Sequence, residues 1–235
     1  EANRAIIRWC RGITGRQKIL IFNGCYHGAV DDVFVDLRDG HPEIRRSLIG
    51  QIQDLLPTTE VIEFNDADAL ERVLKRGDIA CVLAEPVMTN VGMVTDAPGY
   101  LDLLRRLTRE TGTMLVFDET HTISSGYGGH SNSFGPMPDM MVIGKSIGGG
   151  VPCAVYGFTG EVAEKMEALN RSRPSGHSGI GTTLSANALS ITAMHAMLGQ
   201  VITRDAYVHM LKQAGRLVRG LQSLTCGSGL DWHVV

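Results

Sequence analysis

The sequence predicts an α/β domain of three layers, a mostly parallel sheet covered by helices on both faces. Two observations carry that expectation. Short, near-continuous apolar runs read as strands buried on both sides. Amphipathic stretches fall between them, and this alternation is the pattern of a layered α/β domain. The 235 residues are enough to bury a substantial core. A content of 43% hydrophobic and 20% charged residues is ordinary for a globular protein.

The elements follow in order. A first helix is expected over residues 2–12, then the strand "KILIF" (18–22) and, after a long polar stretch, "EVIEF" (60–64). A helix over 67–76 leads to "ACVLAE" (80–85). The next helix, 98–111, sets Leu101, Leu104 and Leu107 beside a charged face, and Gly112 ends it. "MLVFDE" (114–119), "MMVIGK" (140–145) and "CAVYGF" (153–158) complete the strands, and helices over 160–169, 185–199 and 206–224 complete the chain. The segments 125–138 and 170–183 are long and rich in Gly, Ser and Pro, which is where an α/β domain tends to carry function. No repeat or linker divides the chain, so residues 1–235 are read as one domain.

Charge and cysteine usage narrow the function classes. A formal net charge of −3, with no basic block, gives no footprint for nucleic acid or for a membrane surface. No apolar run is long enough to span a bilayer. Five widely spaced cysteines, an odd number without C-x-x-C, point to free thiols in a reducing, cytoplasmic setting.

The chemistry is sought at the C-terminal ends of the strands, where open α/β sheets bind ligands. Glu85, Asp118 with Glu119, and Lys145 end three of them, and the first strand runs into Tyr26 and His27. Lys145 is followed by the glycine run Gly148–Gly150, which lets a flat ligand approach the backbone. A lysine in apolar surroundings loses solvation and becomes a nucleophile. An ion pair between Lys145 and a strand-end carboxylate is the plain alternative. A P-loop is excluded because its first glycine is replaced by Asp139. His121, His130 and His177 match no zinc spacing, and no G-x-G-x-x-G follows the first strand.

Pyridoxal phosphate chemistry uses all of these pieces. The cofactor's aldehyde is the electrophile for Lys145, Asp118 can keep its pyridine nitrogen protonated, and Tyr26 can lie on its ring.

The ordered segments "EANRAIIRWCRGITGRQKILIFNGCYHG", "LAEPVMTNVGMV", "GYLDLLRRLTRETGTMLVFDET", "PDMMVIGKSIGGGVPCAVYG" and "GTTLSANALS" resemble the large domain of class III, fold type I, pyridoxal-phosphate aminotransferases. They most resemble the branch containing glutamate-1-semialdehyde aminomutase. The resemblance implies that Lys145 forms the Schiff base, Asp118 partners the ring nitrogen and Tyr26 stacks on the ring. It also implies a homodimer with shared sites, in which Thr183 binds the phosphate of the neighbouring subunit's cofactor. Glu85 and Asn90 are expected near the cofactor's 3′-oxygen and the substrate, and His27 either touches the cofactor or packs.

Thr120 stands where the family packs a small branched apolar residue on the ring's second face, and His121 where it often has Met. The loop "TISSGYGGH" replaces the usual "TGFR"-like continuation. By the same resemblance the chain is the large-domain core, without the N-terminal segment and the small C-terminal domain. The implied reaction moves an amino group between an amino compound and an oxo acid. An intramolecular amino shift, or an inactive homologue, are the alternatives.

Overall fold

The computed structural model describes residues 1–226, 228, 229, 232 and 234. A six-stranded sheet forms the centre, built from β1 (Lys18–Phe22), β4 (Thr59–Ile62), β5 (Ile79–Ala84), β6 (Met114–Asp118), β7 (Met140–Ile143) and β8 (Val155–Phe158). Their order is β4-β1-β5-β6-β7-β8, parallel throughout except for the antiparallel β7–β8 pair at one edge. Helices α1 (Ala2–Thr14) and α5 (Gly160–Ser172) pack together, with α1 lying on β5, β7 and β8. A second group joins α2 (Ala67–Leu74) to α3 (Tyr100–Thr111), which lies on β6.

The strands are buried because helices cover both faces of the sheet. Leu20, Ile21, Phe22, Val82, Leu83, Val116 and Phe117 have no exposed surface. Each such side chain contributes about 1.5–3 kcal/mol relative to an exposed one. Phe22, Phe64 and Tyr100 meet edge-on, with centroids 5.1 to 6.3 Å apart, and tie β1 to the start of α3. Asp139, the residue that breaks the P-loop pattern, has a structural use. It pairs with Arg105 of α3 at 2.9 Å and accepts the Leu115 N–H at 2.7 Å, fixing the entry to β7.

Several elements differ from the sequence expectation. β7 ends at Ile143 and β6 at Asp118, so Lys145 and Glu119 both lie past their strands. Residues 35–38 and 41–44 form a separate antiparallel hairpin, β2 and β3, which the polar composition of "VDLRDGHPEI" concealed. Its turn residues Asp39 and Gly40 both have positive φ, the Asp-Gly pattern that suits a tight hairpin. The helix expected over 185–199 starts only at Ala188, as α6 (Ala188–Ala196), and ends in a π-helical turn, Met197–Val201. Ala186 is left-handed at φ 58, and Asn187 caps the helix by accepting the Ser190 N–H, so the helix cannot start earlier. The last long helix, α7, spans Arg204–Thr225, and a short α4 covers Gly129–Ser133.

Candidate active site

Parallel strands present their C-terminal ends along one edge, and that edge gathers Glu85 after β5, Asp118 at the end of β6 and Lys145 after β7. They line one cavity of about 290 Å³ with Tyr26, His27, Thr120, His121 and Asn3. Six of the eight sequence candidates meet there: Tyr26, His27, Glu85, Asp118, Thr120 and Lys145. Asn90 lines the adjoining cavity that also borders Tyr26, and donates to Glu85 Oε1 at 3.3 Å. Thr183 is exposed on the loop before α6, away from this cavity.

Asp118 is 5% exposed and accepts from three donors. Its Oδ2 accepts the Asn3 amide at 2.8 Å and His27 Nδ1 at 2.9 Å, and its Oδ1 accepts the Thr120 backbone N–H at 3.1 Å. Burial alone would raise the carboxyl's pKa, but the His27, Thr120 and Asn3 contacts prevail and hold it near 2. Burial likewise works against charge on His27, yet neighbouring Cys25 and the Asp118 carboxylate raise its pKa to about 10. The outcome is a buried anion permanently charged at neutral pH. His27 Nε2 and Asn3 Oδ1 remain buried without a partner.

Lys145 departs from its expected setting. It is exposed at the cavity and not sunk in apolar surroundings, because the chain leaves the core at Gly144. It opens a single 3₁₀ turn (Lys145–Gly148) with φ 51, a left-handed conformation that non-glycine residues seldom adopt. Such strained positions are concentrated at functional sites. Its Nζ contacts His121 Nε2, and among the described residues no carboxylate pairs with it, as the plain ion-pair alternative would require.

Glu119 follows Asp118 but serves the fold. Fully buried, it accepts the backbone N–H groups of His130 at 2.7 Å and Ser131 at 2.9 Å at the start of α4, with the Thr122 and Ser131 hydroxyls. Gly129, at φ 86, allows this approach, since a Cβ there would lie 2.6 Å from Glu119 Oε2.

Two contributors were missed at the sequence level. Asn3 is a polar residue on the face of α1 that also carries Ile6, Ile7 and Cys10, all buried, and that misfit in the helical pattern was the available signal. Thr89, four residues after Glu85, had no signal of its own. It donates to Glu85 Oε2 at 2.5 Å and contacts His121 Nδ1. Among the described residues, no cluster of three or more His, Cys, Asp or Glu is placed to hold a metal ion, and no helix is long and apolar enough to cross a membrane.

Comparison with known proteins gives the arrangement its context. A model of the aminotransferase class-III family matches residues 1–227. Glutamate-1-semialdehyde 2,1-aminomutase of Gemmatimonas aurantiaca is 36% identical over 232 residues, covering 98% of this chain and 52% of that protein. The chain thus spans about half the length of the curated relatives it matches. A crystal structure of a glutamate-1-semialdehyde aminomutase from Pseudomonas aeruginosa PAO1, in complex with PMP, superposes with a TM-score of 0.94 at 42% identity, over 99% of this chain and 52% of that one. An omega-transaminase from Sphaerobacter thermophilus superposes with a TM-score of 0.84 at 30% identity, over 100% and 55%. The chain belongs to the class III aminotransferase family.

Proposed function

We propose that this chain is the cofactor-binding large domain of a pyridoxal-phosphate-dependent aminotransferase that moves an amino group between an amino compound and an oxo acid. One observation carries the reading: an exposed amine, Lys145, and a permanently ionised buried carboxylate, Asp118, line the same cavity from adjacent strand ends. The cavity suits the cofactor by its own chemistry. Asp118 offers the anion that a protonated ring nitrogen requires, and Lys145 offers a primary amine for an aldehyde. Tyr26, 49% exposed at the same cavity, offers an aromatic face. When bound, pyridoxal phosphate supplies the aldehyde and a ring that withdraws electrons from the substrate carbon.

The chain's own groups do the remaining work. Lys145 moves a proton on and off its Nζ as the general acid and base. Asn3, His27 and the Thr120 N–H keep Asp118 charged and oriented. Glu85, 3% exposed, holds Asn90 and Thr89 at the open side, where a substrate would enter.

An intramolecular 1,2-amino shift is the second reading, favoured by the similarity to aminomutases. It calls on the same residues, and a product assay with and without an added oxo acid separates the two. We place the working unit as a homodimer with Thr183 serving the partner's cofactor. Exposure of Thr183, and of Leu184, Leu189 and Leu198 around α6, supports this. Five cysteines without a disulfide suit a cytoplasmic setting.

Reconstitution with pyridoxal phosphate, borohydride reduction and peptide mapping test the reading. The label is expected on Lys145, and a label on Lys18 or Lys165 instead would end the assignment.

A further inference from the structure

Lys145 lacks the burial that would strip its amine of solvation, and a neighbouring side chain is placed to take its proton. The structure supplies a continuous path. Lys145 Nζ contacts His121 Nε2, His121 Nδ1 contacts Thr89 Oγ1, and Thr89 Oγ1 reaches Glu85 Oε2 at 2.5 Å. Hydrogen-bond polarity runs one way along it. Glu85 accepts from the Thr89 hydroxyl and also from the Thr89 N–H, at 3.3 Å, so the hydroxyl proton points to the carboxylate. The threonine oxygen then has only lone pairs for His121, which places the ring proton on Nδ1. The lone pair of Nε2 therefore faces the lysine. Glu85 Oε2 itself lies 3.6 Å from Nδ1, on the same side of the ring as Thr89.

We infer that His121 is a catalytic proton acceptor for Lys145, with Thr89 and Glu85 as positioning residues that fix its tautomer. This rests on Lys145 being the reacting lysine of the proposed function. A proton leaves Nζ for Nε2, and the positive charge passes from ammonium to imidazolium. The Nδ1 proton can then move to Thr89 as the hydroxyl proton moves to Glu85, leaving amine, neutral ring and neutral carboxyl. No electrons are gained or lost. The titratable groups in contact with or nearest to His121 are Glu85 and Lys145, and Asp118, His27, Glu1, Tyr26 and Cys153 share its cavity.

Two measurements test the relay. Nitrogen-15 spectra of the cofactor-free chain at neutral pH should show His121 protonated at Nδ1 and bare at Nε2, and Thr89→Val should mix the tautomers. Protonation at Nε2 in the unaltered chain overturns the proposal without reference to any cofactor. Separately, the rate at which added pyridoxal phosphate is trapped on Lys145 by cyanoborohydride is compared at pH 7. His121→Gln and His121→Ala should slow it about a hundredfold or more, as general-base effects do. Imidazole in the buffer should restore His121→Ala in proportion to its concentration, which a packing role would not allow. An unchanged rate, or a loss without rescue, refutes the relay while leaving Lys145 as the reacting group. A label on another lysine refutes the proposed function itself.

Discussion

The Asn3 amide and the Asp118 carboxylate are 115 residues apart in the chain and 2.8 Å apart in the structure. The contact pins the first turn of α1 to the end of β6, and Asn3 also donates to the His27 carbonyl at 3.0 Å. One amide thus joins the helix, the β1 loop and the anion at the centre of the site.

Replacing that amide should be costly. Asn3→Ala removes a hydrogen bond to a buried charge, an interaction typically contributing ~1.5–3 kcal/mol. Denaturant unfolding should therefore show a loss of that order, with an unchanged slope. Cofactor retention should fall as well, because Asp118 loses a donor that orients it. A loss within ~0.5 kcal/mol, the range of ordinary surface substitutions, would mean that water or a neighbour replaces the amide.

The His27–Asp118 pair predicts a pH window of stability. The pKa of His27 is raised from its ordinary 6.5 to about 10 on folding, so its contribution is complete below 6.5 and disappears as pH climbs through 10. That of Asp118 is lowered from 3.8 to about 2, so its contribution is complete above 3.8 and disappears as pH falls through 2. The pair thus stabilises most between those two ordinary values. Melting curves of the unaltered chain and His27→Asn should differ most near pH 5 to 6 and converge toward pH 10. A gap that stays constant from neutral to alkaline pH would show that the ring is neutral in the folded state.

Strand ends were legible in the sequence because a buried parallel strand is an unbroken apolar run, and its last residue is where polarity returns. Asp118 and the approach to Lys145 were found in that way. The conformation of Lys145 was not legible, since a single left-handed residue leaves no periodic trace. The β2–β3 hairpin was missed for the opposite reason. It stands outside the main sheet, with exposed or half-buried residues such as Asp36, Arg38 and Glu43, and so carries little apolar pattern. In the sequence His121 fits no metal-ligand spacing and stands only as a departure from the family pattern. Its contacts depend on the sheet order, which sets the ends of β5 and β7 on either side of β6 and so brings Thr89, Glu85 and Lys145 around it. Glu119 stands next to Asp118, yet its carboxylate is spent on the first turn of α4. Adjacent acidic residues at one strand end thus have separate roles, one for the site and one for the loop beside it.

The shared-site dimer can be decided by complementation in the full-length protein. Lys145→Ala and Thr183→Val should each leave little or no activity, the first by removing the amine proposed to react and the second by removing the threonine hydroxyl proposed to hold the partner's phosphate. If Thr183 serves the neighbouring subunit, one site of a mixed dimer combines both lesions. The other site draws Lys145 and Thr183 from the two intact copies. Equal co-expression makes half of the dimers mixed, so about a quarter of all sites should be active. Separately purified parents should gain activity only as fast as their subunits exchange. If Thr183 served its own chain, each site of the mixed dimer would keep one lesion and no activity would return. The exposed position of Thr183, outside the cavity that holds Lys145, is the reason to expect rescue.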